Sequence, residues 1–88
     1  MPILFKYRGL AGYMYFKDIE KHHLPHFHVE YGDFEASFDL NGNLLAGKLP
    51  TQKYKDVKKI TNEYQLLLQH AWEKALIGDT FDKLPLRK

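Results

Sequence analysis

The chain contains no cysteine, which excludes a disulfide-stapled scaffold and a cysteine-ligated metal site. Long apolar runs are missing as well. None approaches the roughly 18 residues that a membrane-spanning helix needs, and no stretch reads as the apolar core of a signal peptide. A cytoplasmic protein with no membrane role is therefore expected. No glycine-rich phosphate loop or Walker motif is present, so nucleotide hydrolysis is set aside. Internal repeats, low-complexity tracts and linkers are absent too, and the 88 residues read as one domain. Excess charge is small: 13 Lys and Arg against 11 Asp and Glu give +2, too little by itself to imply nucleic acid.

What the chain does have is aromatic bulk: 6 Tyr, 6 Phe and 1 Trp, or 15% of its residues. A chain of this size buries somewhat over about 60% of its unfolded surface, and aromatic burial can carry a core of that size without staples. Charge is also unevenly placed. Residues 1–47 hold four basic and six acidic side chains, whereas residues 48–88 hold nine and five. Two faces with different partners is one reading; ordinary surface solvation is the other.

The hydropathy pattern is clearest in the middle. His26-Phe27-His28-Val29-Glu30-Tyr31 and Phe34-Glu35-Ala36-Ser37-Phe38-Asp39-Leu40 alternate with period two around Gly32-Asp33, the signature of a hairpin. That register pairs Tyr31 with Phe34, Val29 with Ala36 and Phe27 with Phe38 on one face. Glu30 then meets Glu35, His28 meets Ser37 and His26 meets Asp39 on the other. Upstream, Ala11 to Lys17 is β-favourable, Asp18 to Pro25 is a polar connection, and the first nine residues form a short strand or a tucked arm. Asn41-Gly42 is a second turn signal, followed by a short strand over 43–48. Beyond Pro50, apolar residues at Val57, Ile60, Tyr64, Leu67, Leu68, Ala71 and Ala75 have helical spacing, with Thr51 as N-cap and Gly78 as stop. The prediction is an α+β fold: an antiparallel β-meander of three to four strands within about 3–48, packed on one long C-terminal α-helix over about 51–77. A loosely held tail over 79–88 completes the chain.

Four of the five histidines, His22, His23, His26 and His28, fall within seven residues. His26 and His28 project to the same face of a strand, about 6–7 Å apart at the backbone. The pair can grip a divalent transition metal such as zinc, with Glu30 on the same face, or Asp39 across the ladder, as a third ligand or as an orienter of a ligand, and His22 and His23 closing the site from the loop. Without metal, His26 held by Asp39 reads as a general base, and His26 with His28 as the base and acid of a ribonuclease. No nucleophile-elbow motif surrounds Ser37, which argues against a hydrolytic triad. Lys48, Lys53, Lys55, Lys58 and Lys59 are candidate nucleic-acid contacts, near a helix N-terminus where acids would be favoured. The bland reading of each is a solvated sheet face or helix face. Trp72 and the Tyr13-Met14-Tyr15-Phe16 run read as packing, and His70 as a packing or surface residue.

The segment Pro25-His26-Phe27-His28-Val29-Glu30-Tyr31-Gly32 carries a resemblance. With Met14-Tyr15-Phe16-Lys17-Asp18 before it, Gly47-Lys48-Leu49-Pro50 after it and Trp72-Glu73-Lys74-Ala75 further on, it resembles the small bacterial family catalogued as domain of unknown function 4160. The resemblance covers roughly residues 5–77. The longer His22-His23-Leu24 stretch before Pro25 departs from the family's usual short loop. The resemblance implies a short bacterial protein often encoded beside a second small protein, an arrangement like that of toxin–antitoxin pairs, and it implies no catalytic assignment. Three functions are therefore carried forward: an interaction module binding a small cognate protein, or RNA or DNA; a toxin-like endoribonuclease using His26 and His28; and a metal-binding hydrolase on the same face. A homo-oligomer formed through an exposed edge strand is permitted by each.

Overall fold

A computed structural model describes residues 3–14 and 25–86. The end of the expected Ala11 to Lys17 strand, most of the polar connection, and His22 and His23 lie outside the described residues. The Gly32-Asp33 turn joins β3 (His26–Tyr31) to β4 (Phe34–Asp39) in the expected register, from Tyr31 opposite Phe34 to His26 opposite Asp39. Gly32 has φ 57°, while Asp33 keeps an ordinary φ, as in a type II′ turn. The N-terminal segment also forms a hairpin, so among the described residues the sheet has five strands rather than three or four. Arg8 and Gly9 both have positive φ, 46° and 86°, the pattern of a type I′ turn. They fold β1 (Ile3–Tyr7) onto β2 (Leu10–Tyr13).

A four-residue connection over 40–43 then leads from β4 to β5 (Leu44–Gly47). Its closure is shown by two bonds: Gly42 N donates to Asp39 O at 3.1 Å and Asp39 N donates to Asn43 O at 3.0 Å. The result is a wholly antiparallel meander, ordered β1-β2-β3-β4-β5.

Period two in the strands puts Phe27, Val29, Ala36 and Phe38 on one face, where they meet Val57, Ile60, Leu68, Ala71, Trp72 and Ala75 in a single core. The helical half differs from expectation in two ways. Pro50, not Thr51, occupies the N-cap position, and its carbonyl accepts from Lys53 N and Tyr54 N at 2.9 and 3.2 Å. The helix is also broken at Tyr64 (φ −114°, ψ 31°) into α1 (Thr51–Glu63) and α2 (Gln65–Leu76).

Two side chains account for the break. Thr61 Oγ1 donates back to Lys58 O at 2.8 Å, and Gln65 Nε2 takes up Thr61 O at 3.2 Å, a carbonyl the helical ladder would otherwise use. The same amide reaches Leu40 O at 2.7 Å, so the kink is tied to the end of β4. Side chains entering the ladder in this way bend helices.

The expected loose tail is corrected over its described part. Leu84 is buried in the core, and its backbone N–H donates to Leu4 O on β1 at 2.8 Å. Phe81 and Leu86 pack against the same core. The apolar spacing Phe81, Leu84, Leu86 brings this segment home even though Pro85 denies it helix or ladder structure. Replacing Leu84 with Ala should therefore lower unfolding free energy by about 2–3 kcal/mol in urea titration, as for other buried leucines. A change below about 0.5 kcal/mol, the ordinary surface value, would mean that the tail is not anchored.

Candidate functional site

The polar face of the β3–β4 hairpin carries most of the chemistry-bearing residues. A two-residue hairpin closes on a hydrogen-bonded pair, so Tyr31–Phe34, Val29–Ala36 and Phe27–Phe38 are the hydrogen-bonded pairs and Glu30–Glu35, His28–Ser37 and His26–Asp39 the others. Side chains approach more closely in the second kind of pair. Accordingly Ser37 Oγ and His28 Nδ1 share a hydrogen bond at 3.1 Å, its direction set by which ring nitrogen carries the proton.

His26 is placed differently from a solvated sheet-face histidine. It is only 5% exposed, and the Trp72 ring on α2 lies 5.5 Å from the imidazole. The His28 ring lies 5.3 Å away, edge-on. Of the two histidines, half-buried His28 is the more accessible.

Asp39 stands opposite His26 in the ladder, but its carboxylate serves the adjoining turn. Asn41 N and Asn43 N both donate to Oδ1 at 2.9 Å, and Asn43 Nδ2 donates to Oδ2 at 3.0 Å. Burial alone would raise its pKa. The bonds from Asn43 and Asn41, with the nearby Lys58 ammonium, outweigh that and hold it below the usual carboxylate value. The expected role of Asp39 as orienter of His26 is thereby replaced by that of a turn anchor: three N–H donors occupy the carboxylate.

The expected metal set does not assemble either. Residues four apart on a strand are about 13 Å apart, so His26 and Glu30 cannot share an ion. Among the described residues, no three His, Asp or Glu side chains are grouped to hold one. Glu30 instead faces Glu35 across the ladder, a like-charged pair that disfavours the local pairing.

The five candidate lysines do not act together. Lys53 Nζ donates to Arg8 O at 2.9 Å, lies 4.8 Å from the Tyr31 ring centroid and pairs with Asp56 at 3.5 Å. Lys58 Nζ donates to Asn41 O at 3.2 Å and Asn43 Oδ1 at 3.4 Å, clamping the β4–β5 turn. Lys55 and Lys59 are exposed on α1, and Lys48 is exposed just past β5. The cations at the helix start thus include two that staple α1 to turns of the sheet.

Two features were not singled out from sequence. The first is the outer edge of β5, where every residue is exposed and Leu44 and Leu45 each remain 44% exposed. The register steps from Ser37–Ala46 to Phe38–Leu44, leaving Leu45 as an extra residue in a bulge. Gly47 comes next at φ 80°, pressed so closely on β4 that a Cβ would overlap Glu35 O. The second is a groove beside α2 formed by Gln65, Gln69 and Glu73. Their spacing of four was the signal, since it puts all three on one helix face.

Residues 9–73 match the family described as Domain of unknown function (DUF4160). The chain belongs to that family. The DUF4160 match runs from the β1–β2 turn into α2, so it includes the hairpin, β5 and the kink. It leaves β1 and the tail that caps it outside. No curated protein and no solved structure matches the chain. No helix among the described residues of this DUF4160 chain is long and apolar enough to cross a membrane.

The Asp39 turn makes a pH-dependent prediction. A depressed folded pKa adds stability that is present above the unfolded pKa and lost as pH falls through the folded one. Asp39→Ala should cost about 2 kcal/mol at pH 7, from bonds to a charged acceptor. The gap from wild type in thermal or urea unfolding should close as the solution is acidified through the carboxylate range. A gap that is unchanged at low pH would contradict the ionised-anchor role.

Proposed function

We infer that this protein is an interaction module that binds a partner protein, the small cognate member of a two-gene pair, by accepting an extended strand along β5. The observation that carries this reading is the contrast between the two edges of the sheet. At the β1 edge the tail returns and Leu84 N–H bonds to Leu4 O. At the β5 edge no neighbouring strand lies alongside among the described residues, and Leu44 and Leu45 are exposed. Between Leu44 and Gly47 there is neither a charged side chain nor a proline, two of the means of blunting an edge. The short strand and its bulge at Leu45 are the blunting that β5 does carry. A strand added there gains main-chain hydrogen bonds for affinity and side-chain pockets for specificity.

A protein partner is favoured over nucleic acid because Lys53 and Lys58 are engaged within the fold. Cleavage of RNA by His26 and His28 as acid and base is supported less well, since His26 is enclosed by Trp72. Support for the toxin–antitoxin-like setting comes from the family resemblance alone.

The test is co-purification with the protein encoded by the adjacent gene, using wild type, a Leu44→Lys/Leu45→Lys variant and a Lys55→Glu/Lys59→Glu variant. The edge variant should weaken binding at least about tenfold, or about 1.4 kcal/mol, and the helix variant should bind as wild type. The reverse pattern would move the interface to α1. A wild-type homodimer that the edge variant dissolves would give the edge to a second copy instead.

A further inference from the structure

Helix α2 hides one face and offers the opposite one to solvent. Leu68, Ala71, Trp72 and Ala75 are buried in the core. With 3.6 residues per turn, Leu66, His70, Glu73 and the C-cap residue Ile77 fall within an arc of about 60° on the other side. His70 and Glu73 are exposed, and Leu66 and Ile77 are 80% and 76% exposed, more than any other large hydrophobic among the described residues. The tail runs along the flank of α2 that carries Leu67 and Lys74 and leaves this stripe open.

Lone exposed aliphatic side chains are ordinary. This stripe differs in its spacing and in its order. Its steps of four, three and four residues are those of a helix–helix seam. Along it the chemistry reads aliphatic, imidazole, carboxylate, aliphatic, symmetric about a point between Ala71 and Trp72. A second α2 laid antiparallel over the first therefore sets each Leu66 against Ile77 of the other copy, and each His70 against the other copy's Glu73. An imidazole supplies at least one N–H donor in either protonation state, and a carboxylate accepts it. A parallel arrangement would instead face Glu73 with Glu73, and like charges oppose it. A surface that complements itself under a twofold rotation is what an isologous dimer requires.

We propose that the outer face of α2 is a self-association surface whose partner is a second copy of this chain, docked antiparallel through Leu66, His70, Glu73 and Ile77. The stripe covers about 16 Å of helix. That puts the interface at the small, transient end, below about 1,200 Å², so the chain is monomeric when dilute. None of these residues lies on β5, and the surface is independent of strand addition at that edge.

Sedimentation of the full chain is followed from dilute solution up to about 1 mM, so that a millimolar dissociation constant still registers. Wild type should pass from monomer to dimer. His70→Glu, which leaves carboxylates facing one another across the seam, should weaken association at least about tenfold. Adding Glu73→Lys to that variant should restore association, because opposite charges then meet again. Leu66→Gln/Ile77→Gln should remove the dimer. All four positions are exposed, so each variant should keep the wild-type thermal midpoint in dilute solution. The Leu44→Lys/Leu45→Lys variant should dimerise as wild type. A chain that stays monomeric at the highest concentration, a dimer indifferent to His70→Glu, a double variant that does not recover, or a dimer lost only with the β5 leucines would each overturn the proposal.

Discussion

The register of the β3–β4 hairpin is the constraint on which the remaining structure depends. Side chains alternate strictly, so a slip of one residue would carry Phe27, Val29, Ala36 and Phe38 into solvent and turn His28, Glu30 and Ser37 toward the core. Gly32 makes that slip costly by supplying the positive φ that closes a two-residue turn. Once the register is set, the helices have a face to cover and the polar residues have a face of their own. Asp39 then lies at the end of β4, where its carboxylate can gather the next turn. That turn in turn receives Lys58 from α1, and Leu40 beside it receives Gln65 from α2.

The second organising feature is the unequal treatment of the sheet edges. Edge strands expose a row of unpaired main-chain groups, which proteins usually cover or blunt. Here the C-terminal segment bonds to β1, and among the described residues β5 has no strand on its outer side and carries two exposed leucines. Polar groups between the layers are satisfied: among the described residues, no buried side-chain nitrogen or oxygen is without a partner. The local rule that is broken lies on the surface, where Glu30 faces Glu35. A basic segment laid near this part of the sheet would relieve that repulsion.

How much of this was legible in the sequence depended on how local each signal is. The hairpin register came from period-two alternation around Gly32-Asp33, and every predicted pair is present. The helical span came from apolar spacing, but its break at Tyr64 did not. The break depends on Thr61 and Gln65 engaging carbonyls, and polar side chains of this kind leave no trace in hydropathy. The β1 strand was half-seen, because Arg8 is an uncommon residue for a left-handed turn position. The tail was misjudged because Leu84 is anchored by a strand some eighty residues earlier, beyond any local pattern. In the site, sequence correctly placed His26 opposite Asp39. It could not show that the Asn41 and Asn43 donors would claim the carboxylate, or that Trp72 would cover the imidazole.

Edge asymmetry is tested most directly by residue-resolved amide hydrogen exchange on the monomeric full chain. The structure predicts slow exchange at the Leu84 amide, comparable with the central strands, and exchange near open-chain rates at the β5 amides that β4 does not use. Rapid exchange at Leu84 together with protection along the outer edge of β5 would contradict it, because the closed and open edges would then be reversed.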